Sequence, residues 1–164
     1  MGNLLVTAPW HGGKTTRLRQ LAAQETGPCF GFLSIGGKNK SFYTLLSLAT
    51  GRQYLSLADC PPGLRLGRYY VREEAFASAQ AELLDSLQQA VGHATVFLDE
   101  IGRLEFSMGL GFDGLLRTLL RNERIELVLA VRDEFMPAVI AAYGLSGWSV
   151  EQVVPWNGTE KLML

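Results

Sequence analysis

The apolar positions of this chain fall into two recurring patterns. Short unbroken apolar runs predict strands buried on both faces, and apolar positions three or four apart predict amphipathic helices. Asn3 to Thr7 is the first run and reads as a buried strand, followed by a Gly/Pro-rich loop from Ala8 to Gly13. Leu18, Leu21 and Ala22 then carry helical spacing until Gly27 and Pro28 stop the helix. Cys29 to Leu33 predicts a second buried strand. Further along, Phe76, Ala79, Leu83, Leu87 and Val91 predict one helix face, ended by Gly92. Ala94 to Leu98 is a strongly apolar strand that stops at Asp99 and Glu100. Phe112, Leu115, Leu116, Leu119 and Leu120 give another helix, and Ile125 to Val131 another strand. Phe135 to Tyr143 reads as a short helix with Pro137 in its first turn, and Trp148 to Val154 as the last strand.

The middle of the chain breaks this rhythm. Phe42 to Leu48 and Gln53 to Leu57 read as two strands joined by a turn at Ala49 to Arg52. Leu55 and Leu57 alternate with Tyr54 and Ser56, as in a strand with one wet face. Cys60-Pro61-Pro62-Gly63 marks a loop, and Tyr69 to Arg72 a short strand. Buried strands alternating with helices imply an α/β fold, with a mainly parallel sheet covered on both faces and a small β-hairpin insertion. Such sheets bind ligands beyond the carboxyl ends of their strands. The length of 164 residues is expected to make a single domain spanning 1–164.

Composition narrows the partners. The formal net charge is −1, which argues against a nucleic acid held by clustered Lys and Arg. No apolar run is long enough to span a membrane, and the start lacks the pattern of a signal peptide, so a cytoplasmic location is expected. Cys29 and Cys60 match no metal-site spacing.

The first loop carries the chemistry. Ala8-Pro9-Trp10-His11-Gly12-Gly13-Lys14-Thr15 fits GxxxxGK[ST] with Ala in the place of the first Gly, and Thr16 follows. Backbone N–H groups must wrap a phosphate here, which needs residues tolerant of unusual dihedrals and close approach. Gly12 and Gly13 meet that need, Lys14 adds charge for the β- and γ-phosphates, and the Thr15 hydroxyl is a ligand for Mg²⁺. The next helix presents its positive N-terminus to the same phosphates. His11 reads either as a phosphate contact or as a solvated loop histidine. Val96-Phe97-Leu98-Asp99-Glu100 has the form of a Walker B strand. Asp99 is expected near the metal and Glu100 beside the water that attacks the γ-phosphate.

Around this pair, Asp99-Glu100-Ile101-Gly102-Arg103-Leu104-Glu105-Phe106 resembles the signature of the small P-loop nucleoside-triphosphatases first known from thermophiles, a group that includes the vertebrate cancer-related nucleoside-triphosphatase. Gly13-Lys14-Thr15-Thr16, Gly31-Phe32, Leu57-Ala58 and Gly67-Arg68-Tyr69-Tyr70-Val71 resemble further blocks of that family. The resemblance spans nearly the whole chain. It implies a RecA-like, three-layer P-loop domain that slowly hydrolyses ATP, GTP and other triphosphates to diphosphate and phosphate. Thr15 and Asp99 imply Mg²⁺ as cofactor, and Glu105, at the family's second acidic position, reads either as positioning the water or an Arg or as a surface glutamate at a helix start. One segment departs: where the family has Glu-Val-Arg before a Gly-Phe pair, this chain has Ser34-Ile35-Gly36-Gly37-Lys38-Asn39-Lys40-Ser41-Phe42-Tyr43. Lys38 or Lys40 reads either as a replacement cation or as a solvated turn lysine.

Arg132, at a strand end, is a candidate γ-phosphate sensor, with an ion pair to Asp133 or Glu134 as the competing reading. Arg68 and Arg72 are weaker candidates, and Asn157 reads as a turn residue or an edge of the base pocket. Asn39-Lys40 offers no basis for guanine selectivity. The expected catalytic set is Glu100, Lys14, Glu105 and Arg132. The expected phosphate-binding set is Ala8, Pro9, Trp10, His11, Gly12, Gly13, Lys14, Thr15 and Thr16, and the metal ligands are Thr15 and Asp99. The expected activity is Mg-dependent triphosphate hydrolysis. A small-molecule or nucleoside kinase, or a nucleotide-gated binding protein, is the alternative.

Overall fold

The computed structural model describes residues 2–9 and 12–154. In chain order the elements are β1 (Leu4–Ala8), α1 (Lys14–Gln24), β2 (Cys29–Gly36), β3 (Phe42–Ser47), β4 (Gln53–Ala58), β5 (Leu64–Leu66), β6 (Tyr69–Val71), α2 (Glu73–Gln89), β7 (Ala94–Leu98), α3 (Arg103–Phe106), α4 (Asp113–Leu120), β8 (Ile125–Arg132), α5 (Met136–Tyr143) and β9 (Ser149–Gln152). All the described strands join one sheet of order β5-β6-β4-β3-β2-β7-β8-β1-β9.

β2, β7, β8, β1 and β9 run parallel, and the remaining strands pair antiparallel beside β2. The parallel half is the one expected. The hairpin, however, is a four-stranded extension of the main sheet and includes β5, which the pattern did not mark. At three residues β5 carries too few positions to show a period.

Side chains alternate across the sheet, as strand geometry requires. Leu5, Phe32, Val96, Leu98, Leu127 and Leu129 face one core, with residues of α2, α4 and α5. Val6, Leu33, Phe97, Val128 and Ala130 face the other, with Leu18 and Leu21 of α1. The result is three layers. Gly31 allows β2 to lie against β7: a Cβ there would come within 1.9 Å of the Phe97 carbonyl oxygen, and the backbone has φ +122°.

Two local expectations fail. Val91 is not part of the α2 face: the helix ends at Gln89 and Val91 is 91% exposed. In β4 the expected alternation breaks at one step, with Leu55 exposed and Ser56 buried. Tyr43 pairs with Leu57 and Thr44 with Leu55, so Ser56 is the extra residue of a β-bulge. Its hydroxyl donates to the Tyr43 carbonyl at 3.1 Å, which satisfies it in the interior.

Candidate active site

The site lies where β1, β8, β7 and β2 end. β1 stops at Ala8, and the loop after it must turn sharply into α1. A Cβ at Gly12 would lie 2.5 Å from the Ala8 Cβ and 2.7 Å from the Pro9 carbonyl oxygen, so only glycine fits there. Gly13 has φ +90° at the N-cap position and offers no side chain to cap the helix. The first turn of α1 contains no acidic residue, so its amides and the positive end of the helix dipole are left facing the loop. An anion satisfies both. Ala8, fully buried, is the neighbour that Gly12 must avoid, which makes a small residue at this position natural. Trp10, His11 and Asn157 lie outside the described residues.

β7 carries the acidic pair to the same place. Asp99 is buried at 3% exposure, and its Oδ2 accepts from the Thr15 hydroxyl at 2.6 Å and the Ser34 amide at 3.0 Å. Its other oxygen, Oδ1, is buried without a hydrogen-bond partner. Burial and the neighbouring Glu100 push the Asp99 carboxyl above the ordinary carboxylate range, against the bonds from Thr15 and Ser34 and the charge of Lys14.

Glu100 takes the left-handed conformation, φ +55°, unusual for a residue with a side chain. Such strain is held only where the surroundings over-determine it. Its partly exposed carboxylate stands 3.8 Å from the Lys14 Nζ and 3.9 Å from the Arg132 Nε. Lys14 is nearly fully buried. Arg132 reaches this cluster because β8 lies between β7 and β1, with Arg132 in register with Ala8. It also pairs with Glu134 at 3.2 Å, the ion pair of the competing reading. Asp133 accepts instead from Thr7 at 2.7 Å. Arg132 and Arg103 each lie 5.3 Å from the Phe135 ring centroid, which holds both guanidiniums at the mouth of the site.

Glu105 is not a surface glutamate at a helix start. It is 3% exposed, and its two oxygens accept from the Gly102 amide at 3.0 Å and the Phe112 amide at 3.0 Å. The carboxylate therefore ties α3 to the start of α4 and shapes the loop after Glu100. Burial pushes its carboxyl up to about 7 despite these bonds. Arg72 is also buried, donating to the Cys60 carbonyl at 3.1 Å, and Arg68 donates to the Lys40 carbonyl at 3.2 Å.

Lys14, Thr15, Asp99, Glu100 and Arg132, all candidates from the sequence, meet in space. The sequence did not mark the Ser34 amide, Tyr43, Tyr69 or Phe135 as site groups. The Ser34 amide has no sequence signal, because every residue but proline supplies one. Tyr43 and Tyr69 lie far from the Ala8–Thr15 and Asp99–Glu100 motifs in sequence and meet the site through the sheet order, whereas Phe135 follows Arg132 by three residues. All of this borders one cavity of about 940 Å³.

A glycine-rich strand-to-helix loop with Lys14 and Thr15, facing a buried aspartate at the end of a parallel strand two places away in the sheet, defines a P-loop NTPase. The family model for NTPases matches residues 3–144, and the chain belongs to that family. The crystal structure of THEP1 from the hyperthermophile Aquifex aeolicus is similar, with TM-score 0.72 and 17% identity over 94% of this chain and 91% of that one. The solution structure of a human cancer-related nucleoside triphosphatase is similar too, with TM-score 0.73 and 18% identity over 96% of this chain and 91% of that one. A comparison with curated proteins returned no match. None of the described helices is long and apolar enough to cross a membrane.

Proposed function

We propose that this NTPase hydrolyses nucleoside triphosphates, ATP and GTP among them, to the diphosphate and phosphate in the cytoplasm. The observation that carries the reading is the 2.6 Å bond from Thr15 to Asp99, which ties the phosphate loop to the acidic strand end and brings Lys14, Glu100 and Arg132 around one point. The β-phosphate sits in the Gly12–Thr16 loop, on the amides at the start of α1. Lys14 draws charge from the β- and γ-phosphates. Glu100 orients a water and takes its proton as the oxygen attacks the γ-phosphorus and the bond to the diphosphate oxygen breaks. Arg132 draws charge from the γ-phosphoryl oxygens.

Thr15 and Asp99 fit Mg²⁺. Both are hard oxygen donors, and the partnerless Oδ1 of Asp99 has acceptor capacity left for a cation or its water. When bound, the ion offsets charge on the phosphate oxygens.

Phosphate release measured across the common nucleotides, with and without Mg²⁺, tests the assignment. Glu100→Gln is expected to lower turnover by about a hundredfold or more while nucleotide affinity stays near the parent's. Hydrolysis at the parent rate in that variant excludes Glu100 as the base. Lys14→Ala is expected to weaken triphosphate binding, and an unchanged titration rejects the phosphate-loop assignment.

A further inference from the structure

The cavity is larger than the phosphate chemistry requires. A triphosphate reaching from the loop to Glu100 spans β1 to β7, two strand spacings or about 10 Å. The cavity continues to Leu57 on β4, five spacings or about 24 Å from β1. At about 940 Å³ it lies near the upper end of the usual range for small-molecule sites.

The direction of the extra space is informative. With the γ-phosphate at Glu100, the rest of the nucleotide leaves toward β1 and β9. No described residue from Ser149 onward lines the cavity. The far half therefore lies on the side from which a group attacks the γ-phosphorus in line. Water alone needs only a small polar niche there. What stands there instead is an apolar chamber of Leu45, Leu57, Leu66 and Phe112 with the Tyr43 and Tyr69 rings.

This chamber has a built roof. Gly37 to Ser41 make a tight turn in which Asn39 and Lys40 take φ +55° and +53°. The Lys40 carbonyl accepts from both the Tyr69 hydroxyl at 2.7 Å and Arg68 at 3.2 Å, which clasps the turn to the β5–β6 hairpin. The Tyr43 and Tyr69 rings meet edge to face at 5.5 Å, and the Arg68 guanidinium lies 5.0 Å from the Tyr69 centroid. The cations of this half and the carboxylates of the cavity come from different segments. Lys40 and Arg68 line it from the Gly37–Ser41 turn and the β5–β6 hairpin, whereas Asp99, Glu100 and Glu105 line it from the end of β7 and the segment that follows.

We propose that this chamber is a second ligand site, for a small organic anion with an apolar or aromatic body, occupied together with the nucleotide. The inference rests on the γ-phosphate position given under Proposed function. A ligand seated here lies on the approach to the γ-phosphorus, so its binding changes phosphate release without competing for the phosphate loop.

The probe is anilinonaphthalene sulfonate, an aromatic anion whose fluorescence rises in apolar sites. The parent protein is expected to bind it saturably, with or without Mg²⁺ and a non-hydrolysable triphosphate. The dye is expected to alter the turnover of phosphate release while leaving KM for the triphosphate unchanged. Leu66→Trp, which fills the chamber, and Arg68→Glu, which reverses its charge, are each expected to weaken dye binding about tenfold or more. Arg68 is exposed, so that variant remains informative if Leu66→Trp fails to fold. Lys14→Ala is expected to lose nucleotide and keep the dye. Displacement of the dye by nucleotide, absence of a saturable site, or unchanged affinity in both chamber variants overturns the proposal. Loss of the phosphate-loop reading shows separately, as nucleotide affinity that Lys14→Ala does not change.

Discussion

Replacing Glu105 with glutamine separates a structural carboxylate from a catalytic one. The group is buried, and its carboxyl lies at about 7, against 4.5 for an ordinary glutamate. Below about pH 4.5 it is neutral in both the folded and the unfolded chain, and its contribution to stability is complete. As pH rises, the unfolded chain releases the proton first, so stability falls until the folded carboxyl also ionises near pH 7. At about 1.4 kcal/mol for each pH unit between 4.5 and about 7, the loss is roughly 3 kcal/mol. For a chain of this size that corresponds to about 6–12 °C in Tm. Glutamine does not titrate, but its NH₂ faces one of the two backbone donors and leaves that bond unmade, a constant cost of about 1–3 kcal/mol. The variant is therefore expected to melt below the parent at pH 5, with the gap closing by pH 8. Thermal melts of both proteins across this range measure the difference, which cancels contributions shared with Asp99. Phosphate release by the folded variant is expected to stay within a few-fold of the parent. Parallel Tm–pH curves refute the burial argument. A hundredfold loss of turnover at unchanged stability returns Glu105 to the catalytic set.

Three other outcomes follow from the same geometry. Gly31→Ala places a Cβ 1.9 Å from the Phe97 carbonyl oxygen at φ +122°, so β2 must move off β7; a loss of about 4 kcal/mol or more is expected, read by urea denaturation. Arg132→Ala is expected to lower phosphate-release turnover by about a hundredfold or more, with a smaller effect on nucleotide affinity, because a cation at the γ-phosphoryl group acts most strongly as charge develops. Arg17→Ala removes the ion pair to Glu151 at 2.7 Å; the pair is about one-third exposed, so a stability change below about 1 kcal/mol is expected in the same denaturation assay, less still at high salt.

The sequence alone determined the parts whose physics is local. The Ala8–Thr15 motif can be read because a phosphate loop needs glycine at fixed spacing, then Lys and a hydroxyl. The apolar strand ending in Asp99 and Glu100 is legible because a strand buried on both faces shows as an unbroken apolar run. The parallel half of the sheet follows from such runs alternating with helices. The tertiary structure decided what depends on distant segments meeting. Strand order set Arg132 against Glu100 and brought the Ser34 amide to Asp99, contacts between residues far apart in the chain. The bulge at Ser56 broke the alternation of β4, leaving Leu55 exposed while Tyr54 and Leu57 both pack against the core, because one extra residue exchanges the faces on either side of it. Burial turned Glu105 from an acidic motif residue into a tether between α3 and α4. The chamber roofed by Lys40, Arg68 and Tyr69 exists only because the antiparallel strands extend the main sheet past β2, where no local pattern marks an edge of the site.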